Sequence, residues 1–440
     1  MTYKIGLDIG TTATKACAFN EAGEMISIVE CGYELLHPEP GAAEQEAEVV
    51  FSAAEDALAE LVKNTDGKPV SIGLSCPMHS LLLLDDNYVP LGNVLTWADA
   101  RPQDAMKGFE SKERHDLHEL TGTPVHPMSP LVKLCWLSND YPERLKAATY
   151  ISDLKSALVH RWSESGFWID EQLASATGLM DLETSEWANV ALKKAGIDKD
   201  KLPQIKPAAT ELKWRKSVAM KLDLTGVSLY LGGSDGVLAN LGSGIMDCGE
   251  VALSIGTSGA LRTTHTKARV DPKHGLFNYK MKDGLYVIGG PTNNGGKVLE
   301  YWTNLLSAHF EDVGAFIDAA VSVKIEDSPK FGPWLYGERA PLWDASATAS
   351  LTGLRGHHQP AHIARAVLDG VTDNLIVILR SLEEVVGPAE RILGSGGFTK
   401  SPVWTKLIGE RSGRKFVVAD AAQASAYGAA LVGSVLQPLG

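Results

Sequence analysis

The chain opens on an apolar strand that ends in a carboxylate, Ile5-Gly6-Leu7-Asp8-Ile9. A glycine and hydroxyl turn, Gly10-Thr11-Thr12, leads into a second apolar strand, and Met25 to Tyr33 reads as a third. From Ala47 to Val62, Val50, Ala53, Ala54, Ala57, Leu58 and Leu61 recur at helical spacing. This amphipathic helix precedes the strand Val70–Ser75, with a further strand at Leu81–Leu84. Ser129 and Pro130 open a helix as N-cap and first helical residue, and 143–163 reads as another helix. Leu182 to Asp223 is charged and irregular. A strand over Val227–Leu231 then runs into the bend Gly232-Gly233-Ser234-Asp235-Gly236 and an apolar helix from Val237 to Leu241. The second half predicts strands through Tyr286–Gly290 and a helix ending at Leu306. It continues with a long helix from His362 to Val386, a strand at Arg391–Leu393 and a helix with Pro402 in its first turn. A strand at Phe416–Val418 and a small-residue helix from Ala424 to Val432 close the chain. Strand, helix, strand with polar residues at strand ends is the α/β pattern, in which ligands gather at the carboxyl ends of strands.

One short pattern occurs twice. Asp8-Ile9-Gly10-Thr11-Thr12 is matched by Ser254-Ile255-Gly256-Thr257-Ser258, each lying between apolar runs. Two such hairpins about half a chain apart predict a duplicated fold with two facing phosphate loops. The boundary between the halves is expected near Met246–Gly249, giving domains over 1–246 and 247–440.

Composition narrows the class. With 440 residues, 44% of them hydrophobic, the chain can build two or three substantial cores. No run of about 18 apolar residues is present, so no membrane span is expected. The N-terminus enters a strand directly, which argues against secretion. Five scattered cysteines without Cys-x-x-Cys spacing exclude a disulfide framework or a zinc site and fit a reducing cytoplasm. A net charge of −13 weighs against nucleic acid or an anionic membrane as partner, while leaving room for a local basic pocket.

The candidate chemistry sits at the turns. Gly10 can take a positive φ, and amides and hydroxyls at Thr11, Thr12 and Thr14, with Lys15 in the same hairpin, can converge on an anion. Asp8 is placed to hold a divalent cation through water. Asp235 reaches a glycine-rich bend at the mouth of a helix, whose N-terminus would keep it ionised, as a general base or as an N-cap. In Trp97-Ala98-Asp99-Ala100-Arg101, Trp97 offers a sugar-stacking face and Arg101 an anion donor, or the cluster is a packed edge beside an Asp–Arg pair. Asn293 and Asn294 offer amides at a helix start, or simply cap it. Gly394-Ser395-Gly396-Gly397-Phe398-Thr399-Lys400-Ser401 misses a Walker A loop because Thr399 precedes Lys400, and reads instead as a turn lying flat against a nucleotide.

Taken in order, these stretches resemble the FGGY carbohydrate kinases, within the actin/hexokinase/Hsp70-like ATPase superfamily, over essentially the whole chain. The resemblance rests on the two hairpins, Trp97-x-Asp99-x-Arg101, the bend at Asp235, Gly337-Glu338-Arg339-Ala340-Pro341 and the turn at 394–397. It implies two ribonuclease-H-like (actin-like ATPase) domains with a catalytic cleft between them and transfer of phosphate from ATP, with Mg2+, to a sugar hydroxyl. Asp235 then matches the general base and Asp8 the magnesium ligand. Gly10, Thr11, Thr12, Thr14, Lys15, Gly256, Thr257 and Ser258 match the phosphate turns, and Gly396, Gly397 and Phe398 the adenosine side. Within the family, 75–80, 123–133 and 292–296 look most like gluconate kinases, while Met78-His79 is also similar to xylulose kinases. On this resemblance Met78, His79, Trp97, Asp99, Arg101, Lys155, Asn293 and Asn294 are the sugar-side candidates. Lys155, Arg101 and Lys133 are the cations available for a substrate carboxylate. A homodimer is the assembly entertained; the chain ends soon after its last helix, where many relatives continue.

Overall fold

The computed structural model describes residues 1–246, 249–419 and 423–436. Its first half is built on a hairpin, β1 (Thr2–Ile9) and β2 (Ala13–Phe19), continued by β3 (Met25–Gly32). Helix α1 (Ala47–Asn64) returns the chain to β4 (Lys68–Cys76), which lies parallel to β1 with Ile5 opposite Ile72. Ile5, Leu7 and Ile9 on one face of β1 pack with Leu58 and Leu61 of α1 and Ile72 and Leu74 of β4, all fully buried. That burial is what the helical spacing of apolar residues in α1 provides. Helices α2 (Pro130–Asp140) and α3 (Leu154–Trp162) precede β5 (Ser228–Ser234), which joins β4 in parallel and runs directly into α4 (Asp235–Gly242). Beyond β5, the short edge strand Glu211–Leu212 completes the order Glu211–Leu212, β5, β4, β1, β2, β3.

The second half repeats the plan. A hairpin of β6 (Glu250–Ile255) and β7 (Gly259–His265) is followed by β8 (Phe277–Lys282) and β9 (Leu285–Thr292). Helices α5 (Gly296–Leu305) and α6 (Pro360–Val386) lead to β10 (Arg391–Ser395), α7 (Pro402–Ser412) and β11 (Lys415–Val418). Sheet order is β8, β9, β7, β6, β10, β11. β10 lies parallel to β6 as β4 does to β1, and β11 parallel to β10 as β5 does to β4. The duplication expected from two five-residue segments is thus a duplication of a whole sheet. A second core, centred on Leu253, Ile255, Val371, Leu375, Ile378 and Leu379, packs α6 against it.

Two expectations change. The single helix over 143–163 is a short helix (Pro142–Ala147), a strand (Tyr150–Ser152) and α3. The strand pairs Ile151 with Leu83, and the Asp153 side chain accepts from Ser156 N at 3.0 Å to start α3 afresh. The boundary at 246/247 falls on Asp247, which with Cys248 lies outside the described residues. The last helix, α8 (Ala424–Val435), which sequence position assigns to the second half, packs on the first sheet. It lies on the face of β1 and β4 opposite α1. An added Cβ at Gly6 would sit 1.8 Å from the Ala426 carbonyl oxygen, and one at Gly73 1.9 Å from that of Ala429. Small residues on both sides let backbones meet there. No helix among the described residues is long and apolar enough to cross a membrane.

Candidate active site

Asp235 is the first residue of α4, and the cap is Ser234, whose hydroxyl accepts from Val237 N at 3.4 Å. The carboxylate is therefore not consumed as an N-cap; its Oδ1 accepts from Gly236 N at 2.7 Å. The helix N-terminus does not hold its pKa at the ordinary value. Burial, reinforced by the Asp8 carboxylate, pushes it up to about 6 against the opposing pull of Arg262 and of the Gly236 and Met78 amides.

Asp8 lies at the end of β1, where the Ser75 hydroxyl donates to its Oδ1 at 2.6 Å. Burial raises its pKa, with Ser75 and Lys15 opposing. Among the described residues no three His, Cys, Asp or Glu side chains cluster as a metal cage. A single carboxylate at the end of the strand that enters the Gly10–Thr12 turn suits Mg2+, which keeps several waters and takes most other ligands from phosphate. The β1–β2 turn is braced from behind: Tyr33 donates to Gly10 O at 2.8 Å and Gln45 Nε2 to Thr11 O at 2.9 Å. The Thr12 side is exposed, and in the second hairpin Gly256 and Thr257 are exposed too. A Cβ on Gly256 would meet nothing within 4 Å, and the same holds at Gly397. Both turns thus present bare backbone to open space, which fits a polyphosphate on one side and a nucleotide face on the other.

A cavity of about 330 Å3 lies between Asp235 and the two hairpins, and its lining does not include Asp8, Gly396 or Gly397. Thr11, Gly256, Thr257 and Ser258 form its hairpin end, and Asp235, Met78, His79 and Trp97 line it with Arg262, Tyr279 and Arg339. Trp97 Nε1 donates to Thr11 Oγ1 at 3.2 Å, and the Arg339 guanidinium lies 5.4 Å from the Trp97 ring centroid. His79, held at φ 69°, gives its Nδ1–H to Ala176 O at 2.7 Å, so Nε2 is left to accept from Tyr279 OH at 3.3 Å. Burial and the Lys133 charge pull the His79 pKa down to about 3, keeping the ring neutral.

Several expected contacts are elsewhere. Thr14 is fully buried beside the Tyr33 hydroxyl at 3.2 Å, facing away from the anion side of its hairpin. Lys15 stands opposite Asp8 on β2 and reaches Glu30 at 3.9 Å. Arg101 is consumed by carboxylates, Asp99 and Glu44 at 2.5 Å and Glu39 at 2.7 Å, so neither Asp99 nor Arg101 faces the cavity. Lys155 is a fully buried partner of Asp170 at 2.6 Å and also donates to Leu231 O, and breaking such a pair costs about 3–5 kcal/mol. Asn293 and Asn294 bind the loop at 336–338 instead of a ligand: Asn293 Nδ2 donates to Tyr336 O and Asn294 Nδ2 to Gly337 O. That loop is anchored by the buried Glu338 carboxylate, which accepts from Thr292, Asn293, Asn294, Arg339 and Asn374. Phe398 is turned into the core against Trp404 and Phe416, leaving Gly397 as the open part of the turn, while a Cβ at Gly396 would lie 2.4 Å from Ile255 O.

Lys133 is buried and spends its three N–H donors on His79 O (2.5 Å), Thr96 O (2.7 Å) and Leu95 O (3.3 Å). Burial draws its pKa down to about 7, with Asp99 opposing. It positions the loops carrying His79 and Trp97 and has no donor left for a ligand. Lys133→Met should remove three hydrogen bonds and take the donor from His79 O, while Leu95 O keeps Leu81 N and Thr96 O keeps Asp99 N. It should lower stability by about 3 kcal/mol and raise the sugar KM more than the ATP KM. Denaturant melts and two-substrate kinetics check this; equal changes in both KM values would remove the positioning role.

The cavity's own cations, Arg262 and Arg339, were not among those singled out from sequence. The available signal was a single charge in the apolar run Gly259-Ala260-Leu261 and the arginine of the loop at 337–341.

Two ribonuclease-H-like lobes, each offering a glycine–hydroxyl hairpin to a shared cavity with an acidic residue at its wall, define an actin-like ATPase fold. The model of the FGGY family of carbohydrate kinases, N-terminal domain, matches residues 3–242, and that of its C-terminal domain matches 251–436. The chain belongs to the FGGY family of carbohydrate kinases, and with that family come ATP as phosphoryl donor and Mg2+. It is 37% identical to a gluconokinase of Bacillus subtilis, over 98% of this chain and 87% of that protein. Among solved structures, a gluconate kinase from Lactobacillus acidophilus superposes with a TM-score of 0.94 at 32% identity, covering 98% of this chain and 88% of the other. A ligand-bound xylulose kinase from the same organism gives 0.93 at 32%, covering 98% and 89%.

Proposed function

We propose that this kinase phosphorylates D-gluconate to 6-phosphogluconate, with Asp235 as general base and Asp8 as the residue that holds Mg2+ near the phosphates. The observation that carries the reading is the cavity wall itself: one unblocked carboxylate, Asp235, and two guanidinium groups, Arg262 and Arg339, around a small polar space. Asp235 and Glu338 attract these two cations, yet Arg262 Nε and Arg339 Nε are left without hydrogen-bond partners among the described residues. A polyhydroxy acid brings a carboxylate for such donors that a neutral sugar lacks. Gluconate kinases among the relatives support the same choice.

In this reading Asp235 accepts the proton of the attacking hydroxyl, and its raised pKa still leaves it ionised at pH 7. The two hairpins and Gly396-Gly397 hold the donor in line, and Thr11, Thr257 and Ser258 contribute hydroxyls to the phosphate end. Mg2+, when bound, neutralises charge on the transferring phosphates. His79 fixes the Tyr279 hydroxyl as its donor, which leaves the Tyr279 oxygen to accept from a substrate hydroxyl. We read the enzyme as cytoplasmic, since the described cysteines Cys17, Cys31, Cys76 and Cys135 are free.

A second reading is supported by Met78 and His79, which both line the cavity and are similar to the same pair in xylulose kinases, and by a xylulose kinase neighbour of equal identity. ADP release with Mg-ATP against gluconate, D-xylulose, L-ribulose, glycerol and no sugar separates them. Turnover on gluconate is the expected result; preference for D-xylulose would overturn the gluconate assignment while keeping the kinase.

A further inference from the structure

Arg262 is the least committed cation of the site. It leaves β7 three residues beyond the second hairpin, and its stem crosses Gly289, where an added Cβ would lie 3.1 Å from Arg262 Cγ. Its head reaches over to the first half: a Cβ on Gly236 would lie 3.5 Å from Arg262 Nε and 2.8 Å from Met78 Cε. Glycines on both lobes therefore clear a channel for this side chain. Yet among the described residues the guanidinium has one long hydrogen bond, Nη1 to Ser254 Oγ at 3.3 Å, and its buried Nε–H has no hydrogen-bond partner, although the Asp235 carboxylate attracts its charge. A buried unpaired donor costs free energy unless a ligand completes it.

The other cations near the cleft are engaged. Arg339 donates to Thr292 O and lies against Trp97, although its Nε is also unpartnered, and Lys297 sits 3.9 Å from the centroid of Tyr336. Two anions could satisfy Arg262: the carboxylate of the acceptor or the transferring phosphoryl group. The hairpin hydroxyls and amides already serve the second, and the head of Arg262 converges with Met78, a sugar-side residue, on Gly236.

We infer that Arg262 is the receptor for the substrate carboxylate and sets the preference for an aldonic acid over its neutral polyol. This rests on the reading of the enzyme as a gluconate kinase. The guanidinium fork matches a carboxylate through two parallel N–H donors, which no lysine reproduces. The neutral counterpart, D-glucitol, replaces the carboxylate by CH2OH and leaves that fork unpaired.

The test compares kcat/KM for D-gluconate and D-glucitol in the wild type, Arg262→Met and Arg262→Lys. Arg262→Met should lose about 10²-fold on gluconate and only a few-fold on glucitol, with the ATP KM unchanged. Arg262→Lys, which keeps charge and stem, should recover part of the preference for gluconate, and gluconate should no longer raise the melting temperature of Arg262→Met. Equal losses on both acceptors would assign the side chain to the phosphoryl group and overturn the inference, as would unchanged gluconate kinetics. A wild type that ignores gluconate and selects a neutral sugar would overturn the gluconate reading itself, a result distinct from either of these.

Discussion

Asp235→Asn should lower kcat by roughly 10²–10⁴-fold while leaving the fold and the affinity for Mg-ATP intact. The amide keeps the size of the side chain, and its oxygen can still accept from Gly236 N, so the start of α4 need not move. What disappears is the ability to take a proton from the acceptor hydroxyl. The wild type offers a matching signature in pH. As the proposed base, Asp235 would work only when unprotonated, and burial with the Asp8 carboxylate nearby raises its pKa to about 6. Protonation on the acid side therefore removes the base, and kcat/KM should fall about tenfold per pH unit below that value and level off above it. The residual activity of Asp235→Asn should lack this limb. A variant with near-normal kcat, or one retaining the limb, would move the general-base role to another group. Calorimetric titration with Mg-ATP completes the check, since loss of nucleotide affinity would point to a damaged site.

The fold was legible because its signals are local. Apolar spacing in α1, the Ser129–Pro130 start of α2 and the paired glycine–hydroxyl turns each depend on a few neighbouring residues, and each element is present. The cavity residues on those turns, Thr11, Gly256, Thr257, Ser258 and Asp235, were legible for the same reason, as were Met78, His79 and Trp97 at strand ends and loops. The cations were not. Charge identifies Lys133, Lys155 and Arg101 as candidates, but their partners lie 2 to 76 positions away in sequence, and all except Asp99 beside Arg101 are recognisable only once the chain is folded. Lys155 finds Asp170, Arg101 finds three carboxylates, and Lys133 finds three carbonyls. Arg262 and Arg339 instead keep an Nε without a hydrogen-bond partner among the described residues, a property no single segment carries. Asn293 and Asn294 were misread similarly: their ligand is the loop at 336–338, some 40 positions further on.

Gly428→Ala should disable the enzyme from outside the cavity. Gly428 lies on α8, and an added Cβ would sit 1.9 Å from the Leu238 carbonyl oxygen and 2.7 Å from its carbon, both backbone atoms of α4. Neither helix can yield locally, because a Cβ on Gly242 of α4 would likewise lie 2.0 Å from Ala424 O, and Ser425 Oγ donates to Asp235 O at 3.3 Å. The two helices must part. Overpacking of this kind costs about 1–3 kcal/mol. It also shifts the helix whose first residue is the proposed base, and a 1 Å misplacement of a catalytic group can cost about 10²-fold in rate. Gly428→Ala is therefore expected to lower the melting temperature and kcat together, with less effect on the ATP KM. Gly108→Ala, where an added Cβ meets nothing within 4 Å, is the matched control and should change neither. A Gly428→Ala enzyme with wild-type kcat would show that α8 does not set the position of Asp235. The expected loss would instead tie the end of the chain, through backbone contact alone, to proton transfer at the cleft.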